Sequence, residues 1–168
     1  LLSHPATARH CRIAELAGYI ISLGRIEMTE GAMTLVFESE HEEYIKRTGF
    51  LLSALYEIKT DIICIDNMKS VTNRIFVSDK DDLAKIFEYS RIKLRQDSDG
   101  SIHICHEVSP VLTKSACCGR TYLQTAFLCC GSVTDPDKGY HLEFAGTHPE
   151  KLGQIQDMLS HYDIMAKM

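Results

Sequence analysis

Arg120–Ser132 reads RTYLQTAFLCCGS, and the small residues Thr121, Thr125 and Cys129 recur in it at intervals of four. That spacing places them in one row on one face of a helix. A row of small side chains lets a second helix approach closely. The helix is expected to stop at Gly131, through the left-handed turn that glycine favours at helix ends. Arg12–Gly24, RIAELAGYIISLG, has the same build, with Ala14, Gly18 and Ser22 in the row and Gly24 at the stop. Two such helices predict a pair packed at the seam of a duplicated fold.

The duplication is tested by sliding the chain on itself. Placing Cys11 on Cys118 sets an offset of 107, and without a gap Leu16 meets Leu123, Gly24 meets Gly131, Phe37 meets Phe144 and Leu52 meets Leu159. A repeat of this length marks a doubled structural unit. Between the copies the pattern is read in order. Ile26 and Met28, then Met33, Leu35 and Phe37, alternate with polar neighbours around Glu30-Gly31 and predict a β-hairpin. A helix over 39–58 follows, with Ser39 and Glu42 placed as a capping box. DIICID (61–66) and VTNRIFVS (71–78) predict a second hairpin, and Ser78 or Asp79 caps a third helix. The expected fold is α+β, a duplicated αββαββα arrangement of two pseudo-symmetric halves packed through paired helices. The expected segments are a first repeat over 1–90, a linker with a connecting strand over 91–112, and a second repeat over 113–168 whose strand 140–144 copies 33–37. Counterparts of the second hairpin and third helix would fall at and beyond residue 168, so the second repeat is expected to be truncated.

The 168 residues suffice for one domain with a real core or two intimately packed halves. A net charge of −5 argues against a chain-wide surface for nucleic acid, which needs clustered Lys and Arg. No apolar run is long enough to span a membrane and no signal peptide is visible. Seven cysteines include the adjacent pairs Cys117–Cys118 and Cys129–Cys130, with no C-x-x-C knuckle. His103 and His106 would point to opposite faces of a strand. The expectation is therefore reduced packing thiols, with no metal and no cofactor.

A helix written L-A-G-x-I-x-x-x-G, repeated once and followed by a hairpin, resembles the LAGLIDADG homing-endonuclease fold; here it runs over Leu16–Gly24 and again over Leu123–Gly131. The run CCGRTYLQTAFLCCGSVTDPDKGYHLEF and the opening HCRIAELAGYI more closely resemble the WhiA family of bacterial regulators, whose N-terminal domain is a degenerate LAGLIDADG domain. That resemblance implies a cytoplasmic, nucleoid-associated DNA-binding regulator of transcription acting in sporulation, cell division and chromosome segregation. It also implies DNA as partner mainly through a C-terminal helix-turn-helix domain absent from this chain, with protein partners besides.

Active enzymes of the resembled fold hold one acid at the foot of each paired helix, where the two carboxylates bind a divalent metal at the scissile phosphates. Here those positions are Leu23 and Cys130. Leucine offers no ligand, and a thiol suits hard Mg²⁺ poorly. A nuclease centre is therefore not expected, although a metal-dependent nuclease and a ligand- or protein-binding module without DNA contact stay open as alternatives. In the resembled fold the polar sheet face forms a DNA saddle. By alternation it would carry Arg25, Glu27, Thr29, Thr34, Val36, Glu38, His141 and Glu143, whose glutamates repel phosphate. Arg25, Asn73 and Arg74 are the candidate DNA contacts; an ordinary solvated strand is the alternative for the last two. His41 and His148 match across the repeat and are read as helix-entry residues.

Overall fold

The computed structural model describes residues 6–67, 70–134 and 141–165. Tyr140, first residue of the expected strand 140–144, lies outside them, as do the outer ends of both expected repeats. In chain order the elements are α1 (Arg9–Leu23), β1 (Gly24–Thr29), β2 (Ala32–Ser39), α2 (Glu42–Tyr56), β3 (Ile63–Asn67), β4 (Ser70–Val77) and α3 (Lys80–Tyr89). Then follow β5 (Leu94–Gln96), β6 (Ile102–Ile104), α4 (Pro110–Thr113), α5 (Ala116–Cys130), β7 (Gly131–Val133), β8 (Leu142–Phe144) and α6 (Pro149–Ser160). The expected αββαββα order is present in full in the first half.

The repeat is visible in the backbone residue by residue. Shifting α1 by 107 gives the bounds of α5, and α6 begins where the shifted α2 begins. β1 pairs β2 antiparallel with Gly24 opposite Phe37 and Ile26 opposite Leu35. β7 pairs β8 with Gly131 opposite Phe144 and Val133 opposite Leu142, the same register shifted by the same offset. Register is pinned by which face is buried, because a slip of one residue would turn every apolar side chain outward.

α1 packs along α5, and the four-stranded sheet β1-β2-β4-β3 extends from the foot of α1. Leu16, Ala17, Tyr19 and Ile20 of α1, Leu35 and Phe37 of β2 and Tyr122 and Ala126 of α5 are fully buried. The small-residue row explains the closeness. A Cβ built on Gly18 would stand 2.9 Å from both Cβ and Cγ2 of Thr125, and 18 and 125 are counterparts in the repeat. The two helices therefore touch where the pseudo-two-fold axis passes between them.

The two halves differ in what covers them. Leu16, Ile20, Leu35, Phe37 and Leu52 are fully buried in the first half. Of their counterparts, Leu123, Phe144 and Leu159 are buried and Phe127 and Leu142 only half-buried, and all five line an open groove of about 600 Å³.

Several local expectations need correction. Gly24 and Gly131 are extended, at φ −85° and −96°, not left-handed. They are required for space: a Cβ would lie 2.4 Å from Ile20 O at Gly24 and 2.2 Å from Phe127 Cδ2 at Gly131. Left-handed backbone ends α2 at Glu57 (φ 62°) and also forms the β1–β2 turn at Glu30 (φ 52°) and Gly31 (φ 81°), the pairing that matches a tight hairpin to strand twist. The capping box at Ser39 and Glu42 is not formed; α2 starts after His41, and Ser39 Oγ instead accepts from the His41 N–H (3.1 Å). Asp79 is the cap of α3, its Oδ1 accepting from the N–H groups of Asp81 and Asp82 (3.0 Å each). The expected connecting strand is a hairpin, with Leu94 opposite Ile104, and α4 straddles the expected boundary at residue 112.

Candidate functional site at the foot of the paired helices

Because α1 and α5 each feed directly into a strand, their last residues meet beside the sheet. Ser22, Leu23 and Gly24 from one helix and Cys129 and Cys130 from the other line a single cavity of about 410 Å³. Arg25, Glu38, His106, Thr147, His148 and Lys151 add polar lining. The two positions where the resembled enzymes carry acids, Leu23 and Cys130, are thus brought together.

What stands around them is chemically unlike a divalent-metal centre. Cys130 donates its thiol proton to Ala126 O (3.0 Å) within its own helix. Burial pushes the Cys129 thiol up to about 12, and burial also raises Cys130, so both stay protonated and uncharged at neutral pH. Lys151 reaches in from the first turn of α6, nearly buried, and its Nζ donates to Ser22 Oγ (2.9 Å). Among the described residues lining the cavity, Glu38 is the one carboxylate, and two arginines hold it. Arg25 Nη1 donates to Glu38 Oε2 (2.8 Å), and Arg74 Nε forms an ion pair with the same oxygen (2.6 Å), its N–H not aimed for a hydrogen bond. Arg25 also pairs with Glu27.

Arg25 and Arg74 accordingly lie on the open sheet face as the alternation requires, but both are matched by glutamates. Asn73 does not join them. Neighbours on a strand face opposite ways, and Asn73 is 4% exposed, its Nδ2 donating to Glu40 O (3.4 Å). As a candidate DNA contact it is corrected to a buried residue. Val36, assigned to the polar saddle face, is fully buried in β2, which has a strand on either side.

His41 and His148 occupy the N-cap positions of α2 and α6, at the helix entries. His148 has a second role: its ring stacks on His106 with centroids 3.4 Å apart and planes 15° from parallel. His106 faces Ile21 O through Nδ1 (3.2 Å), and burial lowers its pKa from 6.5, with the nearby His148 and Lys151 charges acting in the same direction. The folded state therefore binds the His106 proton less readily than the unfolded chain. Stability is fully present above about pH 6.5 and falls as the pH drops from there through the lowered folded pKa. Thermal melts should show the midpoint falling over that window, and His106→Asn should flatten the fall; an unchanged pH profile in the variant would refute this assignment.

Lys151 gives no signal in the sequence, and His106 is noticed there only as a poorly placed metal ligand. The repeat counterpart of Lys151 is Tyr44, so the offset pointed to nothing basic there. The cysteine pairs do more than pack within their own helices. Cys11 and Cys118 are buried and Cys117 is exposed, and together with His10 they converge at the opposite end of α1 and α5.

Two family models match the chain: the WhiA N-terminal LAGLIDADG-like domain over residues 9–88 and the WhiA LAGLIDADG-like domain over 119–168. The chain belongs to the WhiA family. Its relatives there include the probable cell division protein WhiA of Lachnospira eligens, 29% identical over 170 residues with 100% of this chain and 53% of the relative covered. That of Lachnoclostridium phytofermentans is 26% identical over 165 residues, covering 96% of this chain and 52% of the relative. The chain spans about half the length of these curated WhiA relatives. Full-length DUF199/WhiA from Thermatoga maritima superposes with a TM-score of 0.61 at 19% identity, covering 96% of this chain and 47% of that one. The endonuclease I-DmoI, solved in complex with DNA and Mn, superposes with a TM-score of 0.55 at 14% identity, covering 92% of this chain and 78% of that one. The chain thus has the LAGLIDADG homing-endonuclease-like fold. Among its described residues no helix is long and apolar enough to cross a membrane.

Proposed function

We propose that this chain is a non-catalytic LAGLIDADG-like domain of a DNA-binding transcription regulator acting in cell division, sporulation and chromosome segregation. The observation that carries the non-catalytic part is the foot cavity. Leu23 and Cys130 stand at the acid positions, the Lys151 ammonium occupies the space beside them, and Glu38 is held by Arg25 and Arg74. A cation site needs unpaired oxygen ligands and a negative field, and this cavity offers a fixed positive charge. The relatives' name as cell division proteins supports the biological setting. The DNA-bound neighbour of the same fold supports DNA as partner. Sequence reading is assigned to a helix-turn-helix domain elsewhere in the full-length protein, because the sheet arginines here are already neutralised by glutamates. The regulator's place is the cytoplasm, at the nucleoid.

The test is a DNA-binding titration of this chain at several salt concentrations, beside the full-length protein. The expected slope of log K against log salt is near zero for this chain and steeply negative for the full-length protein, since each neutralised phosphate contributes about −0.9. Plasmid nicking with Mg²⁺ or Mn²⁺ that EDTA abolishes would overturn the non-catalytic reading. Equal slopes for the two proteins would overturn the assignment of DNA contact to another domain.

A further inference from the structure

We propose that His10, Cys11, Cys117 and Cys118 form a binding site for one zinc ion that staples the N-terminal ends of α1 and α5. Each offers one ligand atom, and all four atoms lie within 4.8 Å of one another. His10 Nδ1 stands 3.1 Å from Cys118 Sγ, 3.4 Å from Cys11 Sγ and 3.9 Å from Cys117 Sγ. In a tetrahedral site with Zn–S about 2.3 Å and Zn–N about 2.05 Å, nitrogen and sulfur ligands stand about 3.6 Å apart. The three distances bracket that value.

Cys117 Sγ also has Ser115 Oγ at 3.5 Å, but hydrogen bonding to the ring does not by itself account for the cluster. One ring nitrogen of a neutral imidazole offers a single proton or a single lone pair, yet three thiols gather on Nδ1. A cation at the centre satisfies all four at once, each thiol giving up its proton to solvent as it binds. Three thiolates and one imidazole are a donor set of structural zinc, and soft sulfur rejects Mg²⁺ and Ca²⁺.

The repeat explains how the site arises without a C-x-x-C knuckle. Cys11 and Cys118 are counterparts, as are His10 and Cys117, so two adjacent pairs meet across the pseudo-two-fold axis. On each helix the inner residue of the pair is buried and the outer one exposed. All four lie in first turns, where the helix dipole favours anionic ligands, while burial pushes the metal-free Cys11 thiol up to about 11. Three thiolates around Zn²⁺ leave one net negative charge. Lys114 lines the groove of about 510 Å³ that opens beside His10 and Cys118 and supplies both an approach and a counter-charge. The site is about 20 Å along α1 from Leu23, at 1.5 Å rise per residue. With four protein ligands it has no open position for water, so its role is structural.

The test uses this chain purified under reductant and without chelator. Elemental analysis should find one zinc per chain, and removing it with a chelator should lower the melting temperature. Co²⁺ added to the metal-free chain should give thiolate charge-transfer bands and the intense visible bands of a tetrahedral site, saturating at one equivalent. Cys118→Ser should remove most of that signal. Cys117→Ser and His10→Ala change exposed side chains, so they keep the test decisive where a variant at the buried Cys118 fails to fold; both should weaken the bands and release the metal more readily. A folded, reduced chain that takes up neither zinc nor Co²⁺ overturns the proposal. So do cobalt bands unchanged in both exposed-site variants, or a Cys11–Cys118 disulfide in place of bound metal.

Discussion

Glu15→Gln should cost about 3–5 kcal/mol of folding stability, the usual consequence of removing one partner from a buried ion pair. Glu15 lies on α1 against α2, and Arg47 of α2 grips both of its oxygens: Nε donates to Oε1 (2.7 Å) and Nη2 to Oε2 (2.8 Å). The two side chains are 9% and 15% exposed. The hydrogen bond that Arg47 donates to Glu15 is the main reason the Arg47 pKa is raised. Glutamine keeps one acceptor but turns an NH₂ toward a guanidinium N–H, leaving a buried cation half-served. The Phe50 ring, 5.0 Å from the Arg47 guanidinium, retains it by a cation–π contact and does not replace the carboxylate. Urea unfolding should show a lower midpoint at unchanged slope. Glu15→Leu combined with Arg47→Met should recover most of the loss, because the pair balances its own desolvation poorly. A single-variant cost below about 1 kcal/mol would place the pair among surface contacts and contradict its burial.

What the sequence made legible was whatever repeats or alternates. The offset of 107 predicted α5 from α1, and the structure carries it into the β7–β8 register. The apolar phase of Ile26, Leu35 and Phe37 followed from alternation. What was illegible depended on a third dimension or on a residue with two uses. Glycine at positions 24 and 131 announces either unusual dihedrals or missing space, and composition does not distinguish them; the clash with Ile20 O and the Phe127 ring does. Asn73 and Arg74 were grouped as DNA contacts though strand neighbours face opposite ways, and the burial of Asn73 follows. Lys151 reaches Ser22 across 129 residues of chain, a distance no local pattern spans. The convergence of His10, Cys11, Cys117 and Cys118 was latent in the offset, since counterparts on paired helices sit level at the seam. Metal-site spacing rules, written for ligands on one segment, passed over it.

Gly18→Val should destabilise the chain by about 3 kcal/mol or more, at or beyond the upper end for overpacking a close-packed contact. The added Cβ would lie 2.9 Å from two carbons of Thr125, against an optimum of about 3.5–4.0 Å, and the two methyls of valine extend the overlap. Neither helix can retreat easily. α1 is held to the sheet through Leu16, Tyr19 and Ile20, and α5 is held through Tyr122 and Ala126, all fully buried. Since 18 and 125 are counterparts, the collision sits on the pseudo-two-fold axis, where growth on either side meets the other helix. Thr125→Gly removes both offending carbons, so Gly18→Val combined with Thr125→Gly should recover most of the loss. About 1 kcal/mol would remain for glycine in a helix interior. Gly153→Ala on α6, where an added Cβ meets nothing within 4 Å, serves as the control and should be neutral or stabilising by up to about 1 kcal/mol. Denaturant midpoints for the parent chain, Gly18→Val, Thr125→Gly and the double variant complete a double-mutant cycle, with Gly153→Ala as a fifth, reference chain. A coupling energy near zero between positions 18 and 125 would mean that the helices do not meet there. The shared foot cavity and the level cysteine pairs depend on that same helix pairing and would fail with it.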